Sequence, residues 1–307
     1  MYVKDFMHTA VTTVSPDTLV STAYQMMRSG RIRHLPVVTN EGTLVGVITD
    51  RDVRQAAASD APHMAEHELT YLLEKLHVRD IMTPEVVTVR GTTPLVEAGQ
   101  IFLQKKFGCL PVVHDNNALA SIITVTDLLW AYIAQHEAGE GRPLSWAPSA
   151  HAVAGEEVLR PAPTQSRQGL MHVRSMMQTQ IITATPEISL SEVQRLMRDH
   201  NIRHIPVVSG KRLGGIITDR DIRAAAPSPA TTLTRGEIAY QMSTTAVKTC
   251  MTRDVVCIGP EAEMVQAARR LVQRRIGCLP VVDHDTLVGV VTEMDCLRAF
   301  LETARGV

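Results

Sequence analysis

Apolar residues in this chain recur in short blocks of fixed order. Val11 to Val14 is short and β-branched, which predicts a strand. Ser15-Pro16-Asp17 breaks it, and Pro16 favours a helix beginning soon after. Leu19, Ala23, Met26 and Met27 then share one helical face, and Leu190, Val193, Leu196 and Met197 repeat the pattern. Leu35-Pro-Val-Val38 reads as a buried strand with its proline at the start, where no ladder donor is lost. Asn40-Glu41-Gly42 turns the chain into a second strand, Leu44-Val-Gly-Val-Ile48, and Thr49-Asp-Arg-Asp52 opens another helix. The order is strand, helix, strand, strand, helix. A unit this small leaves too much apolar surface uncovered alone, so pairing is expected.

The blocks repeat. Arg33-His-Leu-Pro-Val-Val38 returns as Arg203-His-Ile-Pro-Val-Val208, and Gly108-Cys-Leu-Pro-Val-Val113 returns as Gly277-Cys-Leu-Pro-Val-Val282. Pro36 and Pro206 stand about 170 residues apart, as do Pro111 and Pro280, so a module of one A unit and one B unit is duplicated whole. Val78-Arg-Asp-Ile-Met-Thr-Pro84 opens the second unit, and Met7, Met177 and Met251 hold the place of its methionine in the others. Each unit closes on Thr-x-x-Asp: Thr49 to Asp52, Thr124 to Asp127, Thr218 to Asp221, and Thr292 to Asp295. These phases divide the chain into module 1 (1–133, units near 1–58 and 76–133), a linker (134–170) and module 2 (171–307, units near 171–227 and 245–304). The linker is marked by Pro, Gly, Ala and Ser, as in Arg160-Pro-Ala-Pro-Thr164.

Composition narrows the classes. Of 307 residues 45% are hydrophobic and 21% charged, as in a soluble globular protein. A net charge of −1 and 4% aromatics argue against nucleic acid or an anionic membrane as partner. No apolar run approaches the roughly 18 residues of a membrane helix, and Met1 to Val11 has no secretory pattern. The five cysteines form no Cys-x-x-Cys pair, which fits a reduced, cytoplasmic chain. There is no His-Glu-x-x-His spacing, phosphate-binding glycine loop or Gly-x-Ser-x-Gly elbow, so neither a metal site nor a catalytic one is expected.

The openings, the apolar-Pro-Val-Val strands and the Thr-x-x-Asp endings make every unit resemble a CBS domain, the roughly sixty-residue repeat named from cystathionine β-synthase. The resemblance implies an α/β fold of α+β repeats. Four β-α-β-β-α units would pair into two Bateman modules packed as a disc, as in the γ subunit of AMP-activated protein kinase. The long linker also permits a disc shared between two chains of a homodimer. The family binds AMP, ADP, ATP or S-adenosylmethionine as regulatory ligands rather than required cofactors, and controls an attached or separate effector protein.

Each candidate site residue carries two readings. The tetrads are capping boxes, or their threonines meet a phosphate or ribose while Asp52, Asp127, Asp221 and Asp295 accept from ribose hydroxyls. Arg33-His34 and Arg203-His204 are a solvated edge or, as the resemblance implies, phosphate contacts. Gly108 and Gly277 stand in their place in the B units, allowing close backbone approach or merely marking a turn. Thr83 and Thr252, with His8 and Gln178 in the equivalent places, line the adenine or ribose pocket, as the resemblance implies, or only precede a strand. Cys109 and Cys278 read as buried fillers, and Arg269-Arg270 with Arg274-Arg275 as a solvated face. The expected function is a stand-alone adenine-nucleotide sensor controlling an unidentified partner in trans, with one phosphate-bearing ligand per module on the A unit. The alternatives are a scaffold with degenerate sites, or a regulator responding to S-adenosylmethionine, nucleic acid or metal.

Overall fold

The computed structural model describes residues 1–30, 32–60, 75–137, 171–226 and 233–305. The expected linker lies outside them from residue 138 onward. The first unit holds helix α1 (Val20–Ser29), the hairpin of β1 (His34–Val38) and β2 (Leu44–Thr49), and α2 (Asp50–Asp60). The second holds α3 (Val78–Ile81), β3 (Thr83–Pro84), α4 (Leu95–Lys105), β4 (Cys109–Val113), β5 (Leu119–Thr124) and α5 (Val125–Glu137). In the third come α6 (Val173–Met176), α7 (Leu190–Asp199), β6 (His204–Ser209), β7 (Arg212–Thr218) and α8 (Asp219–Ala225). After α9 (Arg235–Thr244), the fourth adds α10 (Met264–Arg274), β8 (Cys278–Asp283), β9 (Thr286–Thr292) and α11 (Glu293–Arg305).

The expected opening strand is reduced to a single parallel bridge in every unit: Val14 to Val37, Val89 to Val112, Ala184 to Val207, and Ile258 to Val281. Val14 N–H donates to the Pro36 carbonyl at 3.1 Å, and Val38 N–H returns to the Val14 carbonyl at 2.9 Å. Pro16 follows two residues later and has no N–H to carry a ladder on. Helix α1 buries Val20, Ala23 and Met27, and α7 buries Leu190, Val193 and Met197. Leu19 therefore falls just outside its helix, bridged to His77, and the buried stripe begins one residue later than the apolar spacing predicts. All four hairpins carry the same irregularity between their paired valines, at Val37/Val38, Val112/Val113, Val207/Val208 and Val281/Val282.

Within a module the two units exchange their openings. Thr83 and Pro84 pair with Val47 and Gly46 of the first unit, while His8 bridges Ile122 of the second. In module 2, Thr252 bridges Ile216 and Gln178 bridges Val290. The exchange needs a residue without a side chain at Gly46, where a Cβ would stand 2.8 Å from Met82 Sδ and 2.9 Å from the Thr83 carbonyl. Each unit thus completes its neighbour's sheet, which is why one unit alone is not the folding piece.

The modules join through their B units. Helix α5 packs on α10 and α11, and α4 packs on α11. Phe102, Leu128 and Tyr132 share one buried core with Leu271, Leu297 and Phe300. The Tyr132 and Phe300 rings meet edge-on, 6.1 Å between centres. The A units keep separate cores, around Leu35, Ile48 and Val53 in one and Ile205, Ile217 and Ile222 in the other. Among the described residues no helix is long and apolar enough to cross a membrane.

Candidate ligand clefts

Every Thr-x-x-Asp tetrad starts a helix and commits one oxygen of its aspartate. In the first unit Asp52 Oδ2 accepts from the Thr49 N–H at 2.8 Å and the Thr49 hydroxyl at 2.7 Å. Asp127 and Thr124 repeat this at 2.7 and 2.7 Å, and Asp221 with Thr218 and Asp295 with Thr292 at 2.9 and 2.7 Å. In the A units the Asp52 and Asp221 N–H groups also return to the threonine oxygen at 3.3 Å, closing a capping box. Capping therefore accounts for half of each carboxylate.

The other oxygen separates the unit types. In the B units Asp127 Oδ1 lies 2.6 Å from His8 Nε2. Asp295 Oδ1 accepts from Gln178 Nε2 at 2.9 Å and from Arg298 at 2.6 Å. Both aspartates are 2% exposed. The hydrogen bond to Asp127 raises the His8 pKa, against burial, which lowers it. Ser121 stands where the other units have glycine, and its hydroxyl donates to the His8 carbonyl, pinning that opening. In the A units Asp52 and Asp221 are half-buried, and no described residue donates to Oδ1 of either. Thr83 and Thr252, in phase with His8 and Gln178, are exposed and reach neither aspartate.

The Arg-His pairs divide their labour. His34 packs its ring against Gly108 of the neighbouring unit, and His204 sits against Gly277, where a Cβ would be 3.1 Å from the imidazole. The B-unit glycines are thus the floor on which the A-unit histidines rest. Burial, reinforced by the adjacent arginine, lowers both histidines to about 4, so they are neutral at pH 7. The positive charge of each pair is carried by Arg33 or Arg203, both exposed. Burial raises the pKa of Glu293, at the start of α11, while Arg33 and Arg203 pull it back. Its carboxyl therefore feels arginines from both modules. Val125 holds that place in module 1.

Burial pushes the Cys109 and Cys278 thiols up to about 12, which suits inert fillers. No group of three or more potential metal ligands comes together among the described residues. The chain has two His-x-x-x-His spacings: His63 with His67 lies outside those residues, and in His200 with His204 the second ring is turned onto Gly277. The residues that sequence reasoning undervalued are His8, Gln178, Glu293 and Arg298. The first two carried a signal, being larger polar residues at the phase where Thr83 and Thr252 stand.

The family model of the CBS domain matches residues 3–59, 78–134, 173–228 and 247–302. The chain belongs to the CBS-domain family. This CBS-domain protein is similar over nearly its whole length to protein MJ1225 of Methanocaldococcus jannaschii, with 29% identity over 297 residues, covering 94% of this chain and 95% of that one. The crystal structure of MJ1225, which is proposed to be an archaeal homologue of γ-AMPK, matches with a TM-score of 0.69 at 26% identity, covering 98% and 100% of the two chains. A conserved protein from Pyrococcus horikoshii shares the fold, with a TM-score of 0.62 at 19% identity over 98% and 100% of the chains. Four CBS domains in one chain are the arrangement that also characterises the γ subunit.

Proposed function

We propose that this CBS-domain protein is a regulatory sensor that binds one adenine nucleotide (AMP, ADP or ATP) in the A cleft of each module. It then acts on a separate protein and catalyses nothing itself. The observation that carries this reading is the Oδ1 of Asp52 and Asp221, to which no described residue donates, at helix starts whose first N–H donates to the Arg33 or Arg203 carbonyl at 3.1 Å. A carboxylate oxygen without a donor suits a ribose diol, because it only accepts and the diol brings two O–H donors. Arg33 and Arg203 can take a phosphate bidentately. His34 and His204, being neutral, serve as hydrogen-bond partners rather than as charges. S-adenosylmethionine fits this charge pattern less well because it carries no phosphate. The five free cysteines suit a reducing compartment such as the cytoplasm.

A ligand shifts a conformational equilibrium only by its differential affinity for the two states. Here the coupling route is the core that α4, α5, α10 and α11 share, since it ties the two modules together. Calorimetric titration with AMP, ADP and ATP tests the reading. Two sites per chain are expected, and D52A and D221A should each weaken binding at their own site by about 1.5–3 kcal/mol. The same variants should lose up to about 1 kcal/mol of stability without ligand, through the lost cap. Unchanged affinity in folded variants would return the tetrads to capping alone.

A further inference from the structure

The openings of the A units do more than complete a neighbouring sheet. Each delivers a side chain to the one aspartate oxygen that the Thr-x-x-Asp cap leaves over. In module 1 the bridge between His8 and Ile122 and the Ser121 hydrogen bond to the His8 carbonyl set the backbone. The imidazole then sits 2.6 Å from Asp127. In module 2 the bridge between Gln178 and Val290 holds the backbone, with Gln178 N–H donating to the Val290 carbonyl at 2.9 Å and the Val290 N–H returning at 3.0 Å. The Gln178 amide is 2.9 Å from Asp295. With both oxygens bonded to protein and each side chain only 2% exposed, Asp127 and Asp295 are turned away from solvent. The reciprocal openings place Thr83 and Thr252 in the same register, and these short side chains stop before Asp52 and Asp221.

We infer that the residue following the opening methionine decides whether a cleft accepts a ribose. His8, and Gln178 together with Arg298, act as built-in plugs of the two B clefts, and Thr83 and Thr252 leave the A clefts open. This rests on the nucleotide reading above and names what restricts it to two of four clefts. The plugs work by occupying an acceptor, so a ribose hydroxyl must displace a formed hydrogen bond to reach a carboxylate already out of water. The swap is legible as chemistry: histidine and glutamine reach, threonine does not.

Exchanging residues across the pseudo-twofold tests it on the full chain, by AMP titration calorimetry with native mass spectrometry to count ligands. H8T should raise the count from two to three, and Q178T with R298A, which frees Asp295 Oδ1 of both its donors, should add the fourth. In the other direction T83H and T252Q should weaken the A-cleft sites about ten- to hundredfold. H8T also removes a contact that holds the first unit in place. Q178T/R298A, which changes two exposed side chains, keeps the test decisive if H8T fails to fold. A wild type with two sites whose H8T and Q178T/R298A variants still bind two would overturn the plug assignment and leave the nucleotide reading standing. So would a wild type already binding four. A wild type that binds no AMP, ADP or ATP overturns the nucleotide reading instead.

Discussion

The A and B units descend from one pattern, yet they spend the same residues differently. In the B units Asp127 and Asp295 are sealed, with every oxygen bonded to protein, and the helices behind them merge across modules into one core. In the A units Asp52 and Asp221 keep an oxygen in reserve, and the cores stay separate. On the proposed function, one half of each module is arranged as scaffold and the other as receptor. A buried carboxylate is tolerable only when fully paired, which the B units achieve with groups borrowed from the neighbouring opening or the same helix. A receptor must tolerate the opposite, a polar group left waiting, and so holds it half-exposed to water.

The comparison breaks most visibly in the core. Phe300→Ala should cost about 3–5 kcal/mol and destabilise both modules in one transition, because its ring is buried against the other module's Tyr132. Ile48→Val, in the first A unit's own core, should cost about 0.5–1.5 kcal/mol. Chemical denaturation monitored separately in each module reads both. If Phe300→Ala leaves module 1 untouched, the B units are not a shared scaffold.

The A-unit histidines that rest on the B-unit glycines and the one that reaches Asp127 should respond to pH with opposite signs. His34 and His204 are held at about 4 in the fold against an ordinary 6.5. The unfolded chain therefore takes their protons first, and stability is lost as pH falls from 6.5 toward 4, by on the order of 3 kcal/mol each at full protonation. His8 has the reverse shift, its pKa raised by Asp127. Its contribution is complete below 6.5 and lost as pH rises through the raised value. Melting curves of H34Q/H204Q should flatten on the acid limb, and those of H8Q on the neutral limb. The same limb flattening in both variants would contradict the assignment.

A smaller effect sharpens the receptor side. R33A and R203A should reduce AMP or ATP affinity more than adenosine affinity and flatten the salt dependence, since exposed charge contacts are screened. Equal losses for adenosine and AMP would remove the phosphate role.

Repetition made the fold readable, because four copies of apolar-Pro-Val-Val and Thr-x-x-Asp fix the phase of every unit. Boundaries were less readable: Leu19 has the spacing of a helix residue but sits before α1, and Val11–Val14 yields one bridge because Pro16 halts pairing. The site was half readable. The capping bonds are local, three residues apart, and follow from the tetrad itself. The plugs are not local. His8 meets Asp127 and Gln178 meets Asp295 across more than a hundred residues, 119 and 117 apart, and only the exchange of openings brings them together. The histidine and glycine of the matched motifs likewise proved to be one contact between units, His34 on Gly108, where the motif suggested two alternative ligand groups.

The most direct measurement is a crystal structure of the full chain grown with AMP. The account predicts one AMP in each module, its ribose on Asp52 or Asp221 and its phosphate toward Arg33 or Arg203, with His8 still on Asp127 and Gln178 still on Asp295. AMP seated on Asp127 or Asp295, with His8 or Gln178 swung away and the A clefts unfilled, would contradict it.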